Sequence, residues 1–455
     1  MYKLRYKARY CAQGFTQRYG LNYLETYAPT ARPTSVKFVV QITVQYRYVV
    51  HHCDVTTAYL HSDLDFEGML MEQAPGYNKD PTLVCKLNKA IYGLKQSAAM
   101  WHSTLINFMT KQRMVQSVMD PCVFVRKTKV DHLIVVIWVD DIIVCGSSIN
   151  VVNEFKSHFG NSFKIKDLGQ LHYFLGMRFN IQENVITMDQ SGYIHNILVR
   201  FNEQDSAPRS LPCEPGVYEL LSGKSQPLEN PTIFRELVGS LIYLMTGTRP
   251  DIAFIVTLLS RFMNKPTKVH MTIARGVLKY LKGTQHYDLK YVRSSEPLTI
   301  FGYSDSDWAS ANDFLSVSGY AFKMSKNSSL ISWRSGKQSL VAASSCEAEY
   351  IALHAATCEA LFLRQLYAEL TQSTPVTVKI FCDNQGCIAL AKHPSYHKKT
   401  KHINIKYHAI RTYVQNKSIS LAYIPTKNNL ADLATKPIKG PNMRNFDIIR
   451  GISPQ

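Results

Sequence analysis

Cysteine is sparse and unpaired in this chain of 455 residues: ten thiols stand singly, with no C-x-x-C among them. That pattern excludes a disulfide framework and a zinc knuckle, and it points to a reducing compartment. Long apolar runs are missing too. No stretch approaches the roughly 20 uninterrupted apolar residues of a membrane span. The opening MYKLRYKARY lacks the apolar core of a signal peptide. Internal repeats and coiled-coil heptads are absent. Acids are scarce beside bases: 34 Asp and Glu face 52 Lys and Arg, a formal net charge of +18. Such an excess calls for a polyanionic partner, nucleic acid or acidic membrane. With 45% apolar and 19% charged residues, the chain is no disordered tail, and its length suits two to three domains.

Three blocks follow one another. Residues 1 to about 205 alternate β-branched runs (Val36–Val44, Leu133–Val139, Ile142–Cys145) with helical stretches (Ala98–Lys111, Val151–Phe159). This predicts an α+β sheet with helices on one face. Residues 206–232 carry five prolines and read as a connecting loop. Apolar stripes at helical spacing then mark Phe234–Met245, Ile252–Met263 and Val269–Lys282. From about 297, strands are expected at Leu298–Tyr303, Gly319–Met324, Leu330–Trp333 and Val376–Phe381. Helices are expected at Cys346–Leu370, Gln385–Ala391 and Ile405–Asn416. This is a second α+β layout.

Certain acids break the local rules. In LIVVIWVDDIIVCG, residues 133–146, Asp140 and Asp141 stand at the tip of an apolar hairpin. Asp is an ordinary turn residue, but no Gly follows to favour a type I′ turn. Two carboxylates between strands this apolar repel one another unless a hard cation neutralises them. Turn and metal site both remain open on pattern alone. Asp54, in VVHHCDVTTAYL, reads alone as a cap or turn residue. Added to the pair, it completes the three-carboxylate set of two-metal phosphoryl transfer.

The runs YKARYCAQGFTQ, ETYAPTARPTS, CDVTTAYLHSDLD, MEQAPGY, KAIYGLKQS, WVDDIIVCGSS and KDLGQLHYFLG occur in that order over residues 1 to about 200. Together they resemble the reverse transcriptase of copia-type LTR retrotransposon Pol polyproteins. The resemblance implies a right-hand polymerase fold with Asp54, Asp140 and Asp141 as ligands of two Mg²⁺ ions. It implies that Tyr59 crowds the sugar 2′ position, favouring dNTPs on steric grounds. It also implies that Arg9 and Lys7 meet the incoming triphosphate and that Gln96 of GLKQ belongs to the substrate-binding set. Trp138 replaces the family's Tyr or Phe before V-D-D, and Ser97-Ala98-Ala99-Met100-Trp101 replaces A-P-R-A-W. The strands that precede YKAR in the family are not found here, so truncated fingers are expected.

A second acid set lies near the C-terminus. Asp305 and Asp307 end a predicted strand, Glu347 and Glu349 begin a helix, Asp383 follows VKIFC, and Asp432 lies in PTKNNLADLATKP. Each has an ordinary reading as a turn residue, a helix-dipole partner or a cap. The two glutamates stand about 200° apart on a helix, so geometry leaves both open. GYSDSDWAS, SGYAF, ISWRSGKQSLVAASSCEAEYIAL, FCDNQG, TKHINIKYHAIR and PTKNNLADLATKP resemble the ribonuclease H domain of the same polyproteins. LVGSLIYL, TRPDIAF and LKYLKGT resemble its connection helices. The resemblance implies that Asp305, Glu347, Asp383 and Asp432 hold two Mg²⁺ ions, with Asp307 and Glu349 in reserve, and that the RNA strand of an RNA–DNA hybrid is hydrolysed. Where the family reads D-R-K-S-T-S-G, this chain has Asp313-Phe314-Leu315-Ser316-Val317-Ser318-Gly319.

Residues 392–411, KHPSYHKKTKHINIKYHAIR, hold six Lys and Arg, four His and no acid. Pro394 and the lack of a bulky apolar face argue against an interfacial membrane helix. Lys398, Lys399, Lys401 and His402 are expected to bind the hybrid backbone, with Tyr396 and Tyr407 interleaved for stacking. The resulting division is reverse transcriptase over 1–205, linker and helical connection over 206–297, ribonuclease H over 298–438, and a tail over 439–455. The implied partners are RNA template, DNA primer, RNA–DNA hybrid and dNTPs, with no membrane. The implied location is the cytoplasm, within virus-like particles, with access to the nucleus. Nothing in the pattern sets an oligomeric state. The alternative is a decayed or co-opted product that binds nucleic acid without polymerising.

Overall fold

The run Val36–Val44, expected as a strand, is the interior of a helix, α1 (Pro33–Tyr46). Every residue from Ser35 to Val44 is buried. A helix enclosed on all sides reads as one continuous apolar run, and that packing outweighs the small helical penalty of β-branched residues. A computed structural model of the chain describes residues 8–66, 68–77, 80–223, 225–308, 315–392 and 405–437. Two units emerge, one from positions up to 35 together with 48–171, the other from 36–47 together with 172 onward.

The first unit holds strand β1 (Val49–Val55), the ribbon β2 (Leu70–Met71) and β3 (Cys85–Lys86), and helix α2 (Ser97–Lys111). After them come β4 (Val115–Gln116), β5 (Val123–Lys127), β6 (His132–Trp138), β7 (Asp141–Gly146), helix α3 (Ile149–Ser162) and β8 (Ile165–Gln170). Six strands form a sheet in the order β4-β5-β6-β7-β1-β8, antiparallel at every step. Trp101, Leu105 and Phe108 of α2 and Phe155 and Phe159 of α3 pack with Val135, Ile137, Ile142 and Val144 of the sheet. That aromatic core explains why the central strands tolerate no polar residue until their ends.

The second unit holds most of α1 and then, from residue 172, β9 (Tyr173–Phe174), β10 (Met177–Gln182) and β11 (Val185–Asp189). Helices α4 (Ser191–Arg200), α5 (Val217–Ser222), α6 (Pro231–Gly247), α7 (Ala253–Ser260) and α8 (Lys268–Gly283) follow, then β12 (Leu289–Val292). The four strands form one antiparallel sheet in the order β12-β11-β10-β9. Phe234, Leu241, Ile255, Leu259, Val277 and Leu281 anchor the helices in one core. Helix α5 corrects the expectation of a featureless linker. Its six residues lie between Pro215 and Pro227 and contain no proline, and Val217 is buried in the shared core.

The C-terminal sheet comprises β13 (Phe301–Asp307), β14 (Val317–Lys323), β15 (Ser332–Lys337), β16 (Val378–Cys382) and β17 (Ile419–Tyr423). Its order is β15-β14-β13-β16-β17. The first three strands are antiparallel, whereas β13, β16 and β17 run parallel. Helices α9 (Ser345–Thr371), α10 (Gln385–Lys392) and α11 (Ala409–Gln415) accompany it. The chain is therefore α+β throughout, as expected. Among the described residues, no helix is long and apolar enough to cross a membrane.

Candidate metal centres

Strand β7 lies between β6 and β1, so its first residue, Asp141, pairs with Trp138 on one side and Asp54 on the other. The hairpin tip is therefore Val139-Asp140, one residue earlier than the Asp pair expected there. Val139 adopts φ = +57°, a left-handed conformation that costs a β-branched residue about 1–3 kcal/mol. Two hydrogen bonds hold the strained tip in place. The Trp101 indole N–H donates to the Val139 carbonyl at 2.7 Å, and the Val55 N–H donates to the Asp140 carbonyl at 2.8 Å.

Burial raises the Asp140 carboxyl above its ordinary range, and the negative charges of Asp141 and Asp54 push the same way. His52 Nε2 lies 3.1 Å from Asp141 Oδ1. Beside this group, the Arg9 guanidinium stands 5.5 Å from the centre of the Tyr92 ring. Tyr92 in turn packs at 4.6 Å against Tyr59, which sits on the 3₁₀ turn Ala58–His61. Burial, followed by the Asp140 charge, raises both phenols. Asp54, Asp140, Asp141, Arg9 and Tyr59 thus share one end of the sheet. Tyr92, between Arg9 and Tyr59, was not singled out from sequence, although KAIYGLKQS contained it.

The second set converges more tightly. The parallel register pairs Ser304 with Cys382, so Asp305 and Asp383, each one residue further on, share a sheet end. Asp432 lies on the 3₁₀ turn Leu430–Ala434. Asn429 fixes that turn: its Nδ2 donates to the Ser304 carbonyl at 3.0 Å, and its Oδ1 accepts from Ala431 N–H. Carboxylate oxygens of Asp305, Asp383 and Asp432 lie within 4.8 Å of one another. Lys436 Nζ is 3.0 Å from Asp432 and 3.7 Å from Asp305, and the Thr435 hydroxyl donates to Asp305. From α9, Glu349 accepts the Ser306 N–H at 3.1 Å.

Electrostatics opposes full ionisation of this set. Burial, then the Asp305 charge, pushes Glu349 up to about 10 and Asp432 up to about 7. Burial likewise raises Asp305, against the pull of Lys436 and Thr435. Several carboxylates in so dry a place do not all ionise without cations. An all-oxygen donor set suits a hard divalent ion such as Mg²⁺. Among the described residues, the ligand atoms that cluster in threes within 4.8 Å all belong to this second unit. The Asp54, Asp140 and Asp141 set is aligned by strand register instead.

Several expected site residues are placed elsewhere. Glu347 is not brought to the acid cluster and Glu349 is. The Glu347 carboxylate turns back to accept the Ala343 N–H at 2.7 Å, while Ser344 Oγ caps the helix by accepting the Glu347 N–H. Asp307 lies toward Tyr218, whose hydroxyl burial and then Asp307 raise. Gln96 is fully buried. Its Nε2 donates to the Asn22 carbonyl and its Oε1 accepts from Gln17, so it secures the N-terminal segment rather than facing a ligand. Tyr407 is also buried, against the His354 ring at 5.1 Å, and Arg411 donates to the Leu390 carbonyl. That end of the basic segment serves packing, not stacking on bases. Lys7, Lys398, Lys399, Lys401, His402 and Tyr396 lie outside the described residues. Lys436 was missed from sequence, though its i+4 spacing from Asp432 was a usable signal.

Residues 1–215 match the family described as reverse transcriptase (RNA-dependent DNA polymerase). A retrovirus-related Pol polyprotein from transposon RE1 of Arabidopsis thaliana is 36% identical over 90% of this chain. The chain spans 28% of that polyprotein. A putative transposon Ty5-1 protein of Saccharomyces cerevisiae is 30% identical over 66% of this chain and 97% of its own length. Among solved structures, the foamy viral protease-reverse transcriptase in complex with an RNA/DNA hybrid superposes with a TM-score of 0.51. It covers 94% of this chain and 49% of that one, at 10% identity. The fold is therefore that of reverse transcriptases, and the resemblance carried by the sequence motifs is borne out. On sequence and fold together, this chain belongs to the reverse transcriptase family of retrotransposon Pol polyproteins.

Proposed function

We propose that the chain copies RNA into DNA and degrades the RNA strand of the resulting RNA–DNA hybrid, with dNTPs, an RNA template and a DNA primer as its substrates. The observation that carries this reading is a pair of separate acid sets. One lies at the strand ends of the first unit's sheet, and one is gathered around the strand ends of the C-terminal sheet from β13, α9, the end of β16 and the 3₁₀ turn Leu430–Ala434. Each contains carboxyls whose ionisation burial and neighbouring acids oppose. Asp54, Asp140 and Asp141 would hold Mg²⁺ in the first unit, and Asp305, Glu349, Asp383 and Asp432 in the second. Bound Mg²⁺ supplies charge neutralisation at phosphate oxygens and a lower pKa for the attacking hydroxyl or water.

The chain's own side chains position the rest. The Tyr59 ring, braced by Tyr92, forms a wall that a ribose 2′-OH would strike and a deoxyribose would clear. Arg9, held over Tyr92, offers a planar cation to a triphosphate. Lys436 keeps Asp305 and Asp432 together and balances part of their charge. In the second site the 2′-OH is the group that distinguishes RNA from DNA.

Primer extension on an RNA template and cleavage of a labelled hybrid, both in Mg²⁺, test the two activities separately. Asp141→Asn is expected to abolish extension and spare cleavage, and Asp383→Asn the reverse. Extension that persists in Asp141→Asn, or cleavage that persists in Asp383→Asn, overturns the corresponding site. Salt-sensitive binding with neither activity would instead support a nucleic-acid-binding product without catalysis.

A further inference from the structure

Next to the second acid set lies a group of thiols that hydrolysis does not use. Cys382, the last residue of β16, is buried, with its Sγ 4.0 Å from Glu349 Oε2. Ligand atoms of Glu349, Cys382 and Asp383 lie within 4.8 Å of one another. Cys387 on α10, also buried, faces the Cys382 sulfur. Cys346, in the first turn of α9, completes the group, and a side chain at Gly386 would meet its Sγ at 3.5 Å. All three are free thiols.

We infer that Cys382, with the carboxylates of Glu349 and Asp383, forms a binding site for a thiophilic divalent cation of the Zn²⁺ type. Mg²⁺ takes oxygen ligands and gains little from a thiolate, whereas Zn²⁺ accepts sulfur and oxygen together. A tetrahedral ion with ligand bonds of about 2.0–2.3 Å separates its donors by roughly 3.6 Å. The 4.0 Å between Cys382 Sγ and Glu349 Oε2 therefore needs only a small closure. Three protein donors leave the fourth position to water or to Cys387. Asp383 and Cys346 are only partly buried, which gives the ion a way in. On binding, the Cys382 S–H bond breaks, its proton passes to solvent, and the sulfur electron pair forms the metal bond.

Asp383 also belongs to the Asp305–Asp383–Asp432 group, so ions on the sulfur side and on the oxygen-only side compete for its carboxylate. Zn²⁺ at the sulfur side draws Asp383 and Glu349 away from the oxygen-only set. The ion is therefore an antagonist of Mg²⁺, a consequence that rests on the hybrid-cleaving function proposed above, while the binding itself does not.

The test uses the full chain, kept reduced and stripped of metal. Cd²⁺ titration followed by thiolate-to-metal ultraviolet absorption reports sulfur ligation directly, and Zn²⁺ competition against a chromophoric chelator gives affinity. Cys382→Ser is expected to lose one equivalent of the thiolate band and to bind Zn²⁺ at least tenfold more weakly. Glu349→Gln is expected to weaken Zn²⁺ by a similar factor while keeping the band, which guards against a folding defect in the cysteine variant. Unchanged band and affinity in Cys382→Ser, or unchanged affinity in Glu349→Gln, overturn the site. In Mg²⁺, Zn²⁺ should inhibit cleavage, and Cys382→Ser should need at least ten times more, judged against its own rate without Zn²⁺. Equal sensitivity overturns the antagonism. No cleavage in Mg²⁺ alone overturns the proposed function instead, and the Cd²⁺ band still decides the site.

Discussion

Lys37 sits where its chemistry resists. Its ammonium, inside α1, donates to the Thr246 carbonyl at 2.9 Å and lies 4.4 Å from the centre of the Trp333 ring. Burial pushes it down to about 7. The unfolded chain therefore binds more protons than the folded one between about pH 7 and the ordinary lysine range near 10.5. Stability rises with pH across that window, and the penalty for burying the ammonium is complete once pH has fallen below about 7. Lys37→Met should flatten the dependence and stabilise the protein most at pH 6–7. A tenfold change in proton affinity corresponds to about 1.4 kcal/mol, so the gain is at most about 5 kcal/mol, less the cost of the orphaned Thr246 carbonyl. Urea midpoints from pH 6 to 9 check this, and parallel curves for the two proteins would refute it. Trp101 offers a residue-scale test of the first site. Trp101→Phe removes the donor to Val139 and leaves the strained tip with one of its two hydrogen bonds. Extension should fall by about tenfold, the worth of one well-made hydrogen bond of roughly 1.4 kcal/mol, while hybrid cleavage in the same preparation stays unchanged.

At the level of elements, the helix α9 shows how far sequence reasoning reached. Its length and position were legible from the apolar stripe, and so was the presence of an acid in its first turns. Which acid was not legible. Glu347 and Glu349 project to opposite sides, and only the placement of β13, through the Ser306 N–H, selects Glu349. Glu349→Gln should cost about a hundredfold or more in hybrid cleavage, as loss of a metal-organising carboxylate does. Glu347→Ala should leave cleavage near wild type and lower stability by about 0.5–1 kcal/mol, the value of a helix-end contact. A rate assay with thermal melts on both variants decides, and the reverse pattern would restore Glu347. Other elements were misread for a common reason. Helix α1 and Tyr407 have the composition of a strand and of a stacking surface, but burial by distant segments determines what they do, and no local period records it. The Val139-Asp140 tip was hidden because the two-residue turn uses a β-branched residue against its preference. By contrast, Asp54, Asp140 and Asp141 stood out because apolar residues flank them, whereas Asp305, Asp383 and Asp432 read singly as turn or cap residues and were marked by the family resemblance.

For the whole molecule, the decisive quantity is the excess of positive charge, +18 by formal count. Some of it is unavailable to a phosphate backbone: Lys37 and Arg411 are buried, and Lys436 is committed to Asp305 and Asp432. A hybrid bound as proposed would draw on the remaining surface bases, and each phosphate they neutralise releases counterions. The logarithm of affinity should therefore fall linearly with the logarithm of salt, by about 0.7–0.9 per phosphate contact. The segment with Lys398, Lys399 and Lys401 has three bases within four residues and no acid. If those three each meet a phosphate, replacing all of them with alanine should reduce the slope by about 2 to 3. Measured by fluorescence anisotropy with a labelled hybrid between about 50 and 300 mM salt in EDTA, the two lines would converge at high salt. Parallel lines would mean that these lysines contact no backbone, and the bases that hold the hybrid would have to be sought on the first unit instead.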